Sequence, residues 1–194
     1  MGRGSSGISA GGAGSTGGGS RGLAQTLNDV ENGIKNNKTE SAVCVDENGN
    51  ILFNTSDNDS NQVSFSIDQQ RKAIGKIITH NHPNGYCFST EDIMTAEMLD
   101  LKQLRATTPD GRVYVLERTS PDYDYKALRI LFKRYRSMTA AQACAPFKTD
   151  YFDGKLTDAE FNHKASLEHT KIMNRWLTEN ASNFGFDFRE EKVK

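Results

Sequence analysis

Cysteine is scarce in this chain, and so is any excess of charge. Of 194 residues only three are cysteine. Cys44, Cys87 and Cys144 form neither an even disulfide set nor a CxxC pair, which excludes a disulfide-stapled secreted fold and a cysteine-based zinc finger. Lys and Arg total 24 against 25 for Asp and Glu, a net charge of -1, whereas a dedicated nucleic-acid binder carries a basic excess that releases counterions. Hydrophobic residues make up only 36% of the chain, too few for a large core unless part of it is peripheral. No apolar run approaches the roughly 20 residues of a membrane span. No charged start with an apolar stretch behind it resembles a signal peptide. A reducing cytoplasm, or a particle assembled in a bacterial host, is the expected compartment. HExxH is missing, and so is any internal repeat.

What is present divides unevenly. Residues 1–22 are a Gly/Ser run with almost nothing to bury, read as a flexible tail. Its Met1-Gly2-Arg3-Gly4-Ser5-Ser6 start fits a myristoylation pattern that any Gly/Ser-rich run satisfies. Residues 23–36 are a short helix and linker, with Leu23, Leu27, Val30 and Ile34 at helical spacing. Residues 38–118 alternate strand and helix signals. A strand over Ser41–Val45 turns at Asn48-Gly49 into a return strand over Asn50–Asn54. Val63 and Phe65 suggest a short edge strand. Ser66-Ile67-Asp68-Gln69 is a capping box that opens a helix closed by Gly75. Lys76–His80 is a β-branched strand, and Ser89 opens another helix. A second hairpin turns at Pro109-Asp110-Gly111. After Pro121, residues 122–194 read as a helical extension, with helices over 127–145 and 156–180. The fold class is α+β, a mixed α/β sheet flanked by helices.

One segment carries chemistry. His80 and His82 lie two apart at the end of a predicted strand, so both imidazoles face one side and can reach one metal ion. A short loop returns the chain to a helix start, where Asp92 in the first turn is placed to be a third ligand. Two His and one carboxylate with an open fourth position form the ligand set of a catalytic Zn2+ site. The competing reading of Ser89-Thr90-Glu91-Asp92 is a helix cap, and a residue pair can serve both roles. His80-Asn81-His82 is not an HNH nuclease motif, whose residues spread over a whole ββα unit.

The order His80-x-His82-Pro83, then Ser89-x-x-Asp92, resembles the JAMM/MPN+ metalloprotease superfamily, including its RadC-like branch. The loop from His82 to Ser89 is one residue shorter than in typical members. In that respect it is similar to JAB-type domains of phage head-morphogenesis (Mu F-type) and prophage proteins. The resemblance covers about residues 38–118. It implies a JAB/MPN-like, cytidine-deaminase-like sheet, with zinc held by His80, His82 and Asp92. It also implies an upstream glutamate as base, a place that Glu40 takes and for which Glu47 in the hairpin turn is the rival. Ser89 would then donate to the oxyanion. The implied reaction is amide hydrolysis, by a peptidase or isopeptidase acting on a protein or peptide, with a phage capsid or host protein as candidates. A virion-associated structural module and a particle-delivered toxin or effector domain are the alternatives, with no membrane partner and no nucleic acid expected.

The remaining features have plainer readings. His163 and His169 read as surface residues and Trp176 as packing. Arg129, Lys133, Arg134 and Arg136 read as a solvated basic helix face. Cys87 sits in the loop of the candidate site without an arranged base, which argues against a nucleophile.

Overall fold

The computed structural model describes residues 22–57 and 63–193. The Gly/Ser run and its myristoylation pattern therefore lie outside the described residues, apart from Gly22.

Six strands form one sheet in the order β2-β1-β3-β4-β5-β6. Strand β1 (Ser41–Val45) turns into β2 (Ile51–Ser56), which ends two residues later than the sequence predicts. On its other side β1 pairs antiparallel with β3 (Ile77–Asn81). Strand β4 (Gln103–Thr107) runs parallel to β3, so the chain must cross over between them. That crossover carries α3 (Thr90–Met98). Strand β5 (Arg112–Arg118) returns antiparallel to β4.

The two faces of the sheet are covered differently. Helix α1 (Leu23–Ile34) lies on one face, where Leu27 packs with Val43, Val45 and Ile77. Beside it Arg105, only 5% exposed, donates to Glu31 of α1, whose carboxylate also accepts from Thr79. The opposite face carries the main core. There Ala42, Ile78, Leu104 and Tyr114 meet Ile93 of α3 together with side chains of the later helices. Helix α2 (Ile67–Ala73) adds Ala73 to this core and starts at the Ser66–Gln69 capping box.

Two expectations need correction. Residues 63–66 form no strand; Val63 and Phe65 instead pack their side chains on the core. The end of the chain is not purely helical. After α4 (Tyr125–Cys144), α5 (Lys148–Phe152) and α6 (Asp158–Asn180) the chain turns at Gly185 and re-enters the sheet as β6 (Phe186–Lys192), antiparallel to β5. Phe132 of α4 and Met173 and Leu177 of α6 are fully buried against the same core, so these helices pack directly on the sheet. Among the described residues, no helix is long and apolar enough to cross a membrane.

Candidate metal centre

Strand alternation determines where the histidines point. Ile78, His80 and His82 follow one another on the face that carries the main core, whereas Thr79 turns to α1. His80 sits between Ala42 of β1 and Ala106 of β4, two small residues that leave room for the ring. His82 lies one residue past the strand, held by its N–H to the carbonyl of Thr107 at 2.8 Å.

The loop behind His82 closes on itself. Gly85 adopts φ 75°, a left-handed conformation that glycine enters without a Cβ clash, and its N–H donates to the carbonyl of His82. The next carbonyl, that of Tyr86, accepts a hydrogen bond from His82 Nδ1 at 2.8 Å. With Nδ1 committed as donor, Nε2 of neutral His82 keeps its lone pair for a ligand, the usual support for a metal-bound imidazole.

Asp92 is brought back to both rings despite the shortened loop. Its Oδ1 lies 3.4 Å from His80 Nε2 and its Oδ2 lies 3.4 Å from His82 Nε2. The two Nε2 atoms are 2.8 Å apart. The candidate ligand atoms of all three residues fall within 4.8 Å of one another, so the cluster could hold a metal ion. Tetrahedral N and O ligands at zinc distances are about 3.4 Å apart, by the geometry of bonds near 2.1 Å. Each imidazole has this spacing to a different Asp92 oxygen, and the His–His spacing needs the rings to part by about half an ångström. The His80–His82 contact has hydrogen-bond length, and a bound cation would instead take the Nε2 lone pairs of both rings. The donor set, neutral imidazole plus carboxylate, suits a divalent first-row metal ion, zinc among them.

The electrostatics fit a cation site. Burial alone would push the Asp92 carboxyl up, but the two imidazoles beside it hold it well below the usual carboxylate range. Burial pushes His82 down. The Asp92 carboxylate, the Tyr86 carbonyl and the nearby Glu40 overcome that and leave it raised. The helix-cap reading of Ser89 is also correct. Its Oγ accepts from the Asp92 N–H at 3.0 Å and donates to Asp92 Oδ2 at 2.8 Å, while the Ser89 N–H donates to the same oxygen. Ser89 therefore caps α3 and orients the carboxylate that faces the histidines.

Glu40, immediately before β1, lines the same pocket as the three candidate ligands and Ser89. Its segment is held from two directions. Ser56 Oγ donates to the carbonyl of Glu40, and the side chain of Asn81 grips the residues on either side. Asn81 Oδ1 accepts the N–H of Ser41, and its amide donates to the carbonyls of Thr39 and Asn37. Glu47 is elsewhere. It pairs with Lys76 at 3.0 Å, before the start of β3, whereas His80 and His82 are at the end of that strand.

The pocket has a volume of about 210 Å³ and is walled largely by apolar side chains, among them Val63, Phe65 and Leu104. Arg136 of α4 also lines it, which the reading of residues 129–136 as a solvated face missed. Arg129 is not free either, since it pairs with Glu97 of α3. Helical phase carried the missing signal: Leu128, Phe132, Thr139 and Ala143 mark the buried stripe of α4, and Arg136 falls within it.

Other residues are placed as follows. His163 is exposed, with its Nδ1 3.1 Å from the Tyr86 hydroxyl, whereas His169 is half-buried against Thr139 rather than on the surface. Trp176 packs on Tyr135 and Phe132. The three cysteines are free thiols.

Comparison with known proteins adds no relative: no family model matches the chain, and no curated protein or solved structure does so either.

Proposed function

We propose that the protein is a zinc-dependent hydrolase of amide bonds, a peptidase or isopeptidase of the JAMM/MPN-like type. The observation that carries this reading is the convergence of His80, His82 and Asp92 on one point of a pocket that Glu40 also lines. A bound zinc ion supplies Lewis acidity and lowers the pKa of water towards ~7. The chain's own residues supply the rest. Glu40, fixed in place through its neighbours by Asn81, takes a proton from the attacking water and delivers it to the leaving amine. Ser89 holds Asp92 in its present orientation through the one proton of its hydroxyl, which would have to leave Asp92 to serve as an oxyanion donor. The apolar wall excludes bulk water and accepts an apolar part of the substrate.

The RadC-like and phage-type placements rest on the wording of the motif, and the short His82–Ser89 loop favours the phage type. Three metal-type ligands and a buried glutamate in one pocket favour an active site over a virion-associated interaction module. Metal analysis of the purified protein, with peptide hydrolysis measured alongside, tests the proposal. Wild type should hold one zinc per chain and cleave. Glu40→Gln should hold zinc without cleaving, and Asp92→Ala should do neither. A wild-type protein that binds no zinc at neutral pH overturns the reading.

A further inference from the structure

The amide-hydrolase reading leaves the substrate open, and Arg136 narrows it. Five arginines of the described structure are at least partly buried beside a carboxylate: Arg105 with Glu31, Arg112 with Asp110, Arg118 with Asp100, Arg129 with Glu97, and Arg189 with Glu117. Arg71, Arg134 and Arg175 are exposed to water. Arg136 alone among the described arginines is half-buried with no carboxylate of a described residue within 4 Å of its guanidinium.

Its position in α4 makes this costly. It falls in the stripe that buries Leu128, Phe132, Thr139 and Ala143, where an apolar side chain would pack. A guanidinium withdrawn from water and left without a counter-charge is unfavourable unless a ligand completes it. The rest of its pocket lining is apolar, neutral polar or acidic, apart from the imidazoles of His80 and His82. Val63, Phe65 and Leu104 contribute the apolar wall, and Glu40, Glu91 and Asp92 contribute negative charge. Apart from a metal ion held by His80, His82 and Asp92, Arg136 is the one lysine or arginine among the described residues that line the pocket, and so the cationic side chain there that can pair with a substrate anion. The planar guanidinium also matches a carboxylate with two parallel hydrogen bonds.

Building on the amide-hydrolase reading, we infer that Arg136 is a specificity residue that binds a carboxylate of a peptide substrate whose neighbouring apolar side chain fills the pocket. The carboxylate belongs either to the free C-terminus of the substrate or to an acidic side chain, and the two sources can be separated.

Zinc-loaded full-length protein is titrated calorimetrically with three peptides, and their hydrolysis is followed in parallel. The probes are acetyl-Phe-Ala, acetyl-Phe-Ala-amide and acetyl-Phe-Glu-amide. One of the two anionic peptides should bind about tenfold to hundredfold more tightly than the neutral amide, the range expected for a charge-assisted pair. Preference for acetyl-Phe-Ala identifies a C-terminal carboxylate, and preference for acetyl-Phe-Glu-amide identifies a side chain. Arg136→Met, which suits the apolar stripe and should fold, is expected to erase the preference, and Arg136→Lys to keep part of it. Equal affinity for all three peptides overturns the assignment, as does a preference that survives in Arg136→Met. The two readings fail separately. Arg136-dependent binding without cleavage keeps the carboxylate site and removes the hydrolase, whereas cleavage without discrimination does the reverse.

Discussion

Asn81 Oδ1 accepts the backbone N–H of Ser41 at 2.7 Å, across the gap between the end of β3 and the start of β1. Its amide nitrogen donates to the carbonyl of Thr39, so the peptide units on both sides of Glu40 are tied to the residue between the two histidines. Asn81 itself faces away from the candidate ligands, yet it determines how far Glu40 stands from them. Asn81→Ala should therefore keep zinc and lose turnover, roughly tenfold to hundredfold, because a base held loosely reacts poorly. Three lost hydrogen bonds should also lower stability by about 1–3 kcal/mol. Zinc content, kcat and chemical denaturation measured on one preparation separate these effects. Full turnover in Asn81→Ala would show that Glu40 needs no such anchor.

The loop after His82 invites a second variant. Its length lets the Tyr86 carbonyl reach His82 Nδ1 and brings Asp92 within 3.4 Å of both rings. Insertion of one glycine after Asn84 should displace the Tyr86 carbonyl and leave His82 free to turn. Losing such an orienting partner typically costs 10–100-fold in metal affinity, so zinc competition with a chelator should show a drop of about that size. An unchanged affinity would mean that the ring is held by packing alone.

Much of this site was legible because strand periodicity and cap chemistry are local. The spacing of His80 and His82 gave their common face, and Ser89-x-x-Asp92 gave the cap that also aims the carboxylate. The helix and hairpin positions followed from the same kind of short-range pattern. Two features depend on contacts distant in sequence and were hidden, and a third depends on helical phase. Strand β6 reads FDFREEK, with only Phe186 and Phe188 buried, and it becomes a strand by pairing with β5 some 70 residues earlier. Val63 and Phe65 alternate as a strand would, but serve as packing and pocket wall. Arg136 resembles its basic neighbours until the buried stripe of α4 is traced through it.

The thiols should differ sharply in reactivity. Burial pushes Cys44 up to about 11, and burial raises Cys87 further still, so neither forms thiolate near neutral pH. Cys87 lines the pocket but is only 4% exposed. Cys144 at the end of α4 is half-buried. Brief alkylation of the native protein at pH 8 should modify Cys144 alone, and all three after unfolding, as read by intact-mass measurement. Native labelling of Cys87 would mean that the loop opens readily and that the pocket wall is not as closed as it stands.

The buried ion network on the α1 face gives the last prediction. Arg105 binds Glu31 of α1 and Glu191 of β6 at once, so one guanidinium joins the first helix to the last strand. Removing it in Arg105→Ala strands Glu31, which is 2% exposed, and should cost about 3–5 kcal/mol, whereas Arg105→Met with Glu31→Leu should recover much of that loss. The acid side of the network reports through Glu191. Burial raises its carboxyl, but Arg105 and Arg189 outweigh that and hold it below its ordinary value of 4.5. A folded-state pKa below the unfolded one means that the unfolded chain binds the proton first. The stabilisation from Glu191 is therefore complete above about pH 4.5, and fades as the pH falls through the depressed value. Melting temperatures from pH 2.5 to 6 should fall less steeply with acid in Glu191→Gln than in wild type. The two curves should approach one another at the lowest pH. Parallel curves across that range would mean that Glu191 is held no more tightly in the folded protein than in the unfolded chain.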